Sequence, residues 1–130
     1  MTGNKYRVLL VDDDKSLLRL LSLRLSAAGY QVTAVESGEQ ALLQIPLFHP
    51  HLVITDLKMG GMDGMTLFNR IHRRNPALPV LILTAHGTIP DAFEAASRGV
   101  SAYLTKPFDS KVLLEHVARA LEVTGDQLAG

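Results

Sequence analysis

The chain has no cysteine among its 130 residues, so it has neither a disulfide framework nor thiol chemistry, which accords with a cytoplasmic setting. No apolar run approaches the roughly 20 residues that a membrane helix needs. Met1-Thr2-Gly3-Asn4-Lys5 leads straight into a strand pattern, without the profile of a secretory signal. Neither sign of charge is in excess: 13 Lys and Arg balance 13 Asp and Glu. No basic stripe marks a surface for direct nucleic-acid binding. Internal repeats, low-complexity tracts and a Walker A phosphate loop are all missing. The expectation that accords with these absences is a single cytoplasmic domain without a membrane span.

What is present is a core. Hydrophobic residues make up 47% of the chain and charged residues 20%, the balance of a globular domain of ordinary size. Short apolar runs alternate with helical patterns five times. The runs fall at about residues 6–11, 31–35, 52–55, 80–83 and 101–104. Between them the first helix starts at an Asp14 cap, turns Leu17, Leu18, Leu21 and Leu25 inward, and ends at Gly29. The second opens at Ser37 and is expected to stop at Pro46. The third covers about residues 65–74, with Asp63-Gly64 as the turn before it, and the fourth about residues 90–98. The last is capped by Asp109 and runs to about residue 122. Residues 1–5 read as an N-terminal extension, 6–122 as the domain and 123–130 as the start of a linker.

Strands alternating with helices imply parallel pairing through right-handed crossovers, and near-continuous apolar strands imply a sheet covered on both faces. The expected fold is α/β and doubly wound. Two arrangements satisfy this: a flavodoxin-like (βα)5 sheet in order 2-1-3-4-5, or half of a Rossmann sheet. The first makes strands one and three neighbours at the switch point, where ligands bind beyond the carboxyl ends.

Those carboxyl ends carry the chemistry. Asp12 and Asp13 close the first strand, Asp56 the third and Thr84 the fourth, and Lys106 follows the fifth. Three carboxylates within about 5 Å repel by roughly 3 kcal/mol per pair at an effective dielectric near 20, and a hard divalent cation relieves this. Oxygen ligands in a wet site favour Mg2+. A phosphoryl group placed there has the metal, Lys106, the Thr84 hydroxyl and backbone N–H groups as partners. Asp56, on the central strand, is the expected nucleophile; Asp12 and Asp13 suit the metal. An aspartate nucleophile forms an acyl phosphate.

The series Val11-Asp12-Asp13, Asp56-Leu57-Lys58-Met59-Gly60-Gly61-Met62-Asp63-Gly64, Thr84-Ala85 and Lys106-Pro107-Phe108 resembles the receiver (CheY-like) domain of two-component response regulators, over about residues 6–121. The resemblance implies that a sensor histidine kinase phosphorylates Asp56 in a phosphorelay, and that the domain assists its own phosphorylation and dephosphorylation without being an enzyme in the ordinary sense. It implies direct Mg2+ ligation by Asp13, Asp56 and the Lys58 carbonyl, with Asp12 acting through water. It makes Thr84 and Tyr103 a switch pair and Lys106-Pro107 a cis peptide. A homodimer is expected through the fourth helix, fifth strand and fifth helix, where Phe93, Tyr103 and Leu114 are contributors. The loop Thr84-Ala85-His86-Gly87-Thr88-Ile89-Pro90-Asp91-Ala92 is similar to receivers of NtrC-family, sigma-54-dependent transcription regulators, most of all the GlrR type. That implies downstream ATPase and DNA-binding domains, which this segment lacks.

The chain departs from the family where Met59-Gly60 replaces a common Met-Pro, and the expectation is a loop loosened when no metal is bound. Lys58 and His86, two residues past Asp56 and Thr84, are candidates for controlling access of water to the acyl phosphate. His49, His51, His72, His86 and His116 have no metal-ligand spacing, and His49 and His51 are expected in solvent. Arg70, Arg73 and Arg74 form a solvated helix face. Three other readings compete. An aspartyl phosphatase wants a second Asp where Lys58 stands. A flavin carrier wants a neutral loop where Asp12-Asp13-Asp14 stand. A degenerate receiver lacks part of the acid, threonine and lysine set that this chain retains.

Overall fold

The computed structural model describes residues 6–85 and 88–129. The strands are β1 (Arg7–Val11), β2 (Gln31–Val35), β3 (Leu52–Thr55), β4 (Val80–Thr84) and β5 (Ala102–Thr105), all parallel, in the order β2-β1-β3-β4-β5. The helices are α1 (Lys15–Ala27), α2 (Gly38–Phe48), α3 (Gly64–Arg74), α4 (Ile89–Arg98) and α5 (Ser110–Ala129). This is the flavodoxin-like order, and the half-Rossmann alternative falls away. No described helix is long and apolar enough to cross a membrane.

Side chains alternate across the sheet with period two. Val8, Leu10, Leu52, Ile54, Leu81 and Leu83 face α1 and α5, where Leu18, Leu21, Leu25, Leu113, Val117 and Leu121 complete one apolar core. Leu9, Val11, Val53, Val80 and Ile82 face the other way and pack with Leu67, Phe68 and Ile71 of α3 and Ala95 of α4. Each fully buried Leu, Ile or Phe contributes roughly 1.5–3 kcal/mol through removal of apolar surface from water. The central strands β3 and β4 are buried at every position, which explains their unbroken apolar sequences.

The helix starts follow the side chains that cap them. Asp14, Ser37, Asp63 and Thr88 accept N–H groups of Leu17, Gln40, Thr66 and Asp91 at 3.2, 3.1, 2.8 and 3.1 Å. Asp109 accepts from Lys111 N–H at 2.9 Å. A cap of this kind is worth about 1 kcal/mol. Gly29 leaves α1 at φ +100, and the N–H groups of Gly29 and Tyr30 close onto the Ser26 and Leu25 carbonyls. That left-handed exit strains any residue with a Cβ.

Three local expectations are corrected. Pro46 does not stop α2, which continues to Phe48 and ends at a left-handed His49. Proline removes one hydrogen bond there, but Ile45 and Phe48 on either side of it pack against the core, and their burial offsets the loss. The last helix does not end near residue 122 but reaches Ala129; no proline interrupts it, and a lone glycine costs a helix only about 1 kcal/mol. His51 is half-buried rather than free in solvent. Its Nδ1 accepts the Arg7 backbone N–H at 2.9 Å, and its ring meets Tyr6 edge-on at 5.2 Å. Burial, with the Arg7 charge adding to it, lowers the His51 pKa below the ordinary 6.5. His49 is exposed, as are Arg70, Arg73 and Arg74.

Candidate functional site

β1 pairs with β3 so that Val11 lies opposite Thr55, and the next residue on each strand is an aspartate. Backbone bonds hold both acids in place just past the strand ends. Asp12 N–H donates to the Val35 carbonyl at 3.2 Å, and Asp56 N–H to the Val11 carbonyl at 3.0 Å. Asp13 begins the turn into α1 and is exposed, whereas Asp12 and Asp56 are buried. One carboxylate oxygen from each of Asp12, Asp13 and Asp56 lies within 4.8 Å of the others.

Lys106 arrives from β5, two strand spacings of about 4.8 Å from β3. Its N–H donates to the Thr84 carbonyl at 2.8 Å, which continues the ladder past β5. Its long side chain crosses the end of β4 and brings Nζ to 3.1 Å from Asp12 Oδ2 and 3.6 Å from Asp56 Oδ2. Thr84, the last residue of β4, is fully buried between the strands that carry Asp56 and Lys106. The Lys106–Pro107 peptide is cis.

Burial pushes the Asp12 carboxyl above its ordinary pKa of 3.8. The Asp14 N–H, 2.9 Å from Asp12 Oδ1, and Lys106 partly offset that rise, while the Asp56 charge adds to it. Asp56 Oδ1 is buried and has no hydrogen-bond partner among the described residues. A buried carboxylate oxygen without a donor is costly, and two further carboxylates beside it raise the cost. An all-oxygen cluster of this kind fits a hard divalent cation such as magnesium.

The loop after Asp56 is fixed by two contacts that residue types alone did not announce. Gly60 N–H donates to Asp13 Oδ2 at 3.3 Å. Gly64 N–H donates to the Leu57 carbonyl at 2.8 Å, and a Cβ on Gly64 would run into the Asp56 carbonyl oxygen. The Asp63-Gly64 pair was legible as a turn, but this close approach was not. The expectation of a loosened Gly-Gly loop meets a loop whose Gly60 N–H is engaged.

Lys58 is exposed, two residues past Asp56. His86 lies outside the described residues. Tyr103 pairs in register with Ile82, packs against the same core, and so lies on the same side of the sheet as Thr84. Its hydroxyl is buried without a partner among the described residues, and burial, with the Asp91 charge adding to it, raises its pKa above 10.0. On the outer surface Phe93 of α4 is 78% exposed, and Leu114 is half-buried. His72 stacks on Phe68 with ring centroids 5.1 Å apart. His116 and Arg119 line a cleft of about 470 Å³ near the amino ends of β4 and β5, beside Pro76 and Pro79.

Residues 8–118 match the family model of the response regulator receiver domain. The chain belongs to that family. This receiver domain is 48% identical over 122 residues to the transcriptional regulatory protein GlrR of Escherichia coli K12, covering 94% of this chain and 28% of the relative. It is 39% identical over 112 residues to the DNA-binding transcriptional regulator NtrC of Klebsiella pneumoniae, covering 86% and 24%. The chain thus spans about a quarter of the length of these curated relatives. Among solved structures it is similar to a CheY-like receiver domain protein from Methanospirillum hungatei, with TM-score 0.90, 25% identity and coverage of 95% and 99%. The receiver domain is therefore that of a two-component response regulator related to the NtrC-type transcriptional regulators.

Proposed function

We propose that this receiver domain is switched by phosphorylation of Asp56, with a phosphohistidine on a sensor histidine kinase as donor. The observation that carries this reading is the buried Asp56 carboxylate beside Asp12 and Asp13: its Oδ1 has no hydrogen-bond partner among the described residues, and its Oδ2 lies 3.6 Å from the Lys106 ammonium. A carboxylate oxygen of Asp56 attacks the phosphorus, the P–N bond of the donor breaks, and the imidazole leaves with the bond's electron pair and takes up a proton. Asp12, Asp13, Asp56 and the Lys58 carbonyl would hold magnesium, Asp12 through water. Magnesium, when bound, offsets the negative charge that accumulates on the phosphoryl oxygens. Lys106 leaves part of its contact with Asp12 to meet a phosphoryl oxygen, and the Thr84 hydroxyl meets another.

The same reading extends to output. Thr84 and Tyr103 share one side of the sheet, so an inward pull on Thr84 frees space that Tyr103 fills. The populations of two shapes of the α4, β5 and α5 face then shift, and that face pairs with a second copy through Phe93, Tyr103 and Leu114. In the full-length protein the shift controls ATPase and DNA-binding domains of a cytoplasmic, sigma-54-dependent transcription regulator, to which α5, continuous to Ala129, connects this domain. The domain itself makes no direct contact with nucleic acid.

The test is incubation with magnesium and acetyl phosphate, followed by intact-mass measurement. The expected result is one base-labile phosphoryl addition, lost in Asp56→Asn and in the presence of chelator. An unlabelled parent, under conditions that label another receiver domain, refutes the proposal.

A further inference from the structure

Gly60 stands where the family pattern often has proline, and the difference that matters at this position is a hydrogen. Its N–H donates to Asp13 Oδ2 at 3.3 Å; a proline has none to give. Space does not require glycine here, since a Cβ on Gly60 would meet nothing within 4 Å. Nor does the backbone require it, because Gly60 is outside the left-handed region. The backbone donor therefore distinguishes this residue from proline, while alanine would keep it.

Asp13 needs such a donor more than its neighbours do. Asp12 is held by the Asp14 N–H and by Lys106, and Asp56 faces Lys106. Asp13 is exposed, and no cation pairs with it among the described residues. An exposed aspartate at a turn samples several rotamers unless something fixes it. A carboxylate has two oxygens with about four acceptor sites, so donation to Oδ2 leaves room for a cation on the same group.

We propose that the Gly60 N–H is a positioning group for the divalent-cation site: it holds the Asp13 carboxylate toward Asp12 and Asp56 before an ion arrives. This rests on the reading above that the three acids take magnesium. Freedom already lost in the free protein is not lost again on binding, which tightens affinity. The hydrogen bond would persist in the bound state, because one carboxylate has acceptor sites enough for both a metal and an N–H.

The test compares magnesium binding by calorimetry in the parent, Gly60→Ala and Gly60→Pro, with folding checked by circular dichroism. A second measurement, on the parent alone, follows the Gly60 amide proton by NMR as temperature rises, without and with magnesium. Parent and Gly60→Ala should bind alike, and Gly60→Pro should bind about two- to five-fold more weakly, the size expected from one modest hydrogen bond. The Gly60 amide should show the shallow temperature dependence of a bonded proton in both states. Gly60→Pro binding as tightly as the parent would overturn the proposal. So would a Gly60 amide that behaves as freely hydrated in the metal-free chain, whatever the proline variant does to the loop. A parent that gives no magnesium heat while its Gly60 amide is bonded removes the cation reading itself, and the positioning role falls with it.

Discussion

Replacing Asp13 by asparagine should stabilise the metal-free domain. Asp13 has two carboxylate neighbours with ligand atoms within 4.8 Å, and among the described residues no cation pairs with it. At 4.8 Å each like-charge pair costs about 3.5 kcal/mol at an effective dielectric of 20 and about 0.9 kcal/mol at that of water. Because Asp13 is exposed, the watery limit applies, and two pairs give about 1–2 kcal/mol. Asparagine keeps the shape and a carbonyl oxygen for the Gly60 N–H. Urea unfolding followed by circular dichroism, with chelator present, should therefore show a midpoint raised by about 0.5–1 M. Saturating magnesium should reverse the order. A ligand at 100 times its dissociation constant adds about 2.7 kcal/mol to the parent, while the variant has lost a ligand charge and gains less. Two outcomes refute the reasoning: a variant no more stable than the parent in chelator, or equal stabilisation of both by magnesium.

Gly64→Ala should destabilise the fold by about 2–3 kcal/mol, read from urea midpoints, because its Cβ meets the Asp56 backbone rather than a side chain that can move aside. An unchanged midpoint would mean that the loop yields freely. His51→Gln should flatten part of the dependence of stability on pH. The folded pKa of His51 lies below the unfolded 6.5, so the unfolded chain takes the proton more readily. The stability due to the neutral ring is fully present above about pH 6.5 and is lost as pH falls toward the folded pKa. The parent's unfolding midpoint should thus drop more than the variant's between about pH 7.5 and pH 5; parallel drops would count against the Arg7–His51 bond as the cause.

Much of this domain was legible before any coordinates. Strand boundaries, the caps Asp14 and Asp109, the helix openings at Ser37 and Asp63-Gly64, and the gathering of Asp12, Asp13, Asp56, Thr84 and Lys106 at one end of the sheet all follow from local pattern and sheet order, whereas the Thr88 cap was not foreseen. What escaped depends on the backbone or on tertiary weight. The Gly60 N–H and the approach of Gly64 to the Asp56 carbonyl involve main-chain atoms, which no residue type advertises. Pro46 is a reliable local stop signal that core packing overrides. His51 looked like a loop histidine because its partner, the Arg7 N–H, is 44 residues away in the chain.

The sheet divides the interior into two cores that share no side chain. Thr84 and Tyr103 belong to the side packed by α2, α3 and α4, whereas α1 and α5 rest on the other. Substitutions beneath α1 are therefore expected to change stability through a core that Tyr103 does not join, apart from the switch pair proposed above. In the proposed switch only α5 touches both, since it packs the α1 side of the sheet and also borders the output face, so α1 is the helix whose packing can be altered with least effect on signalling.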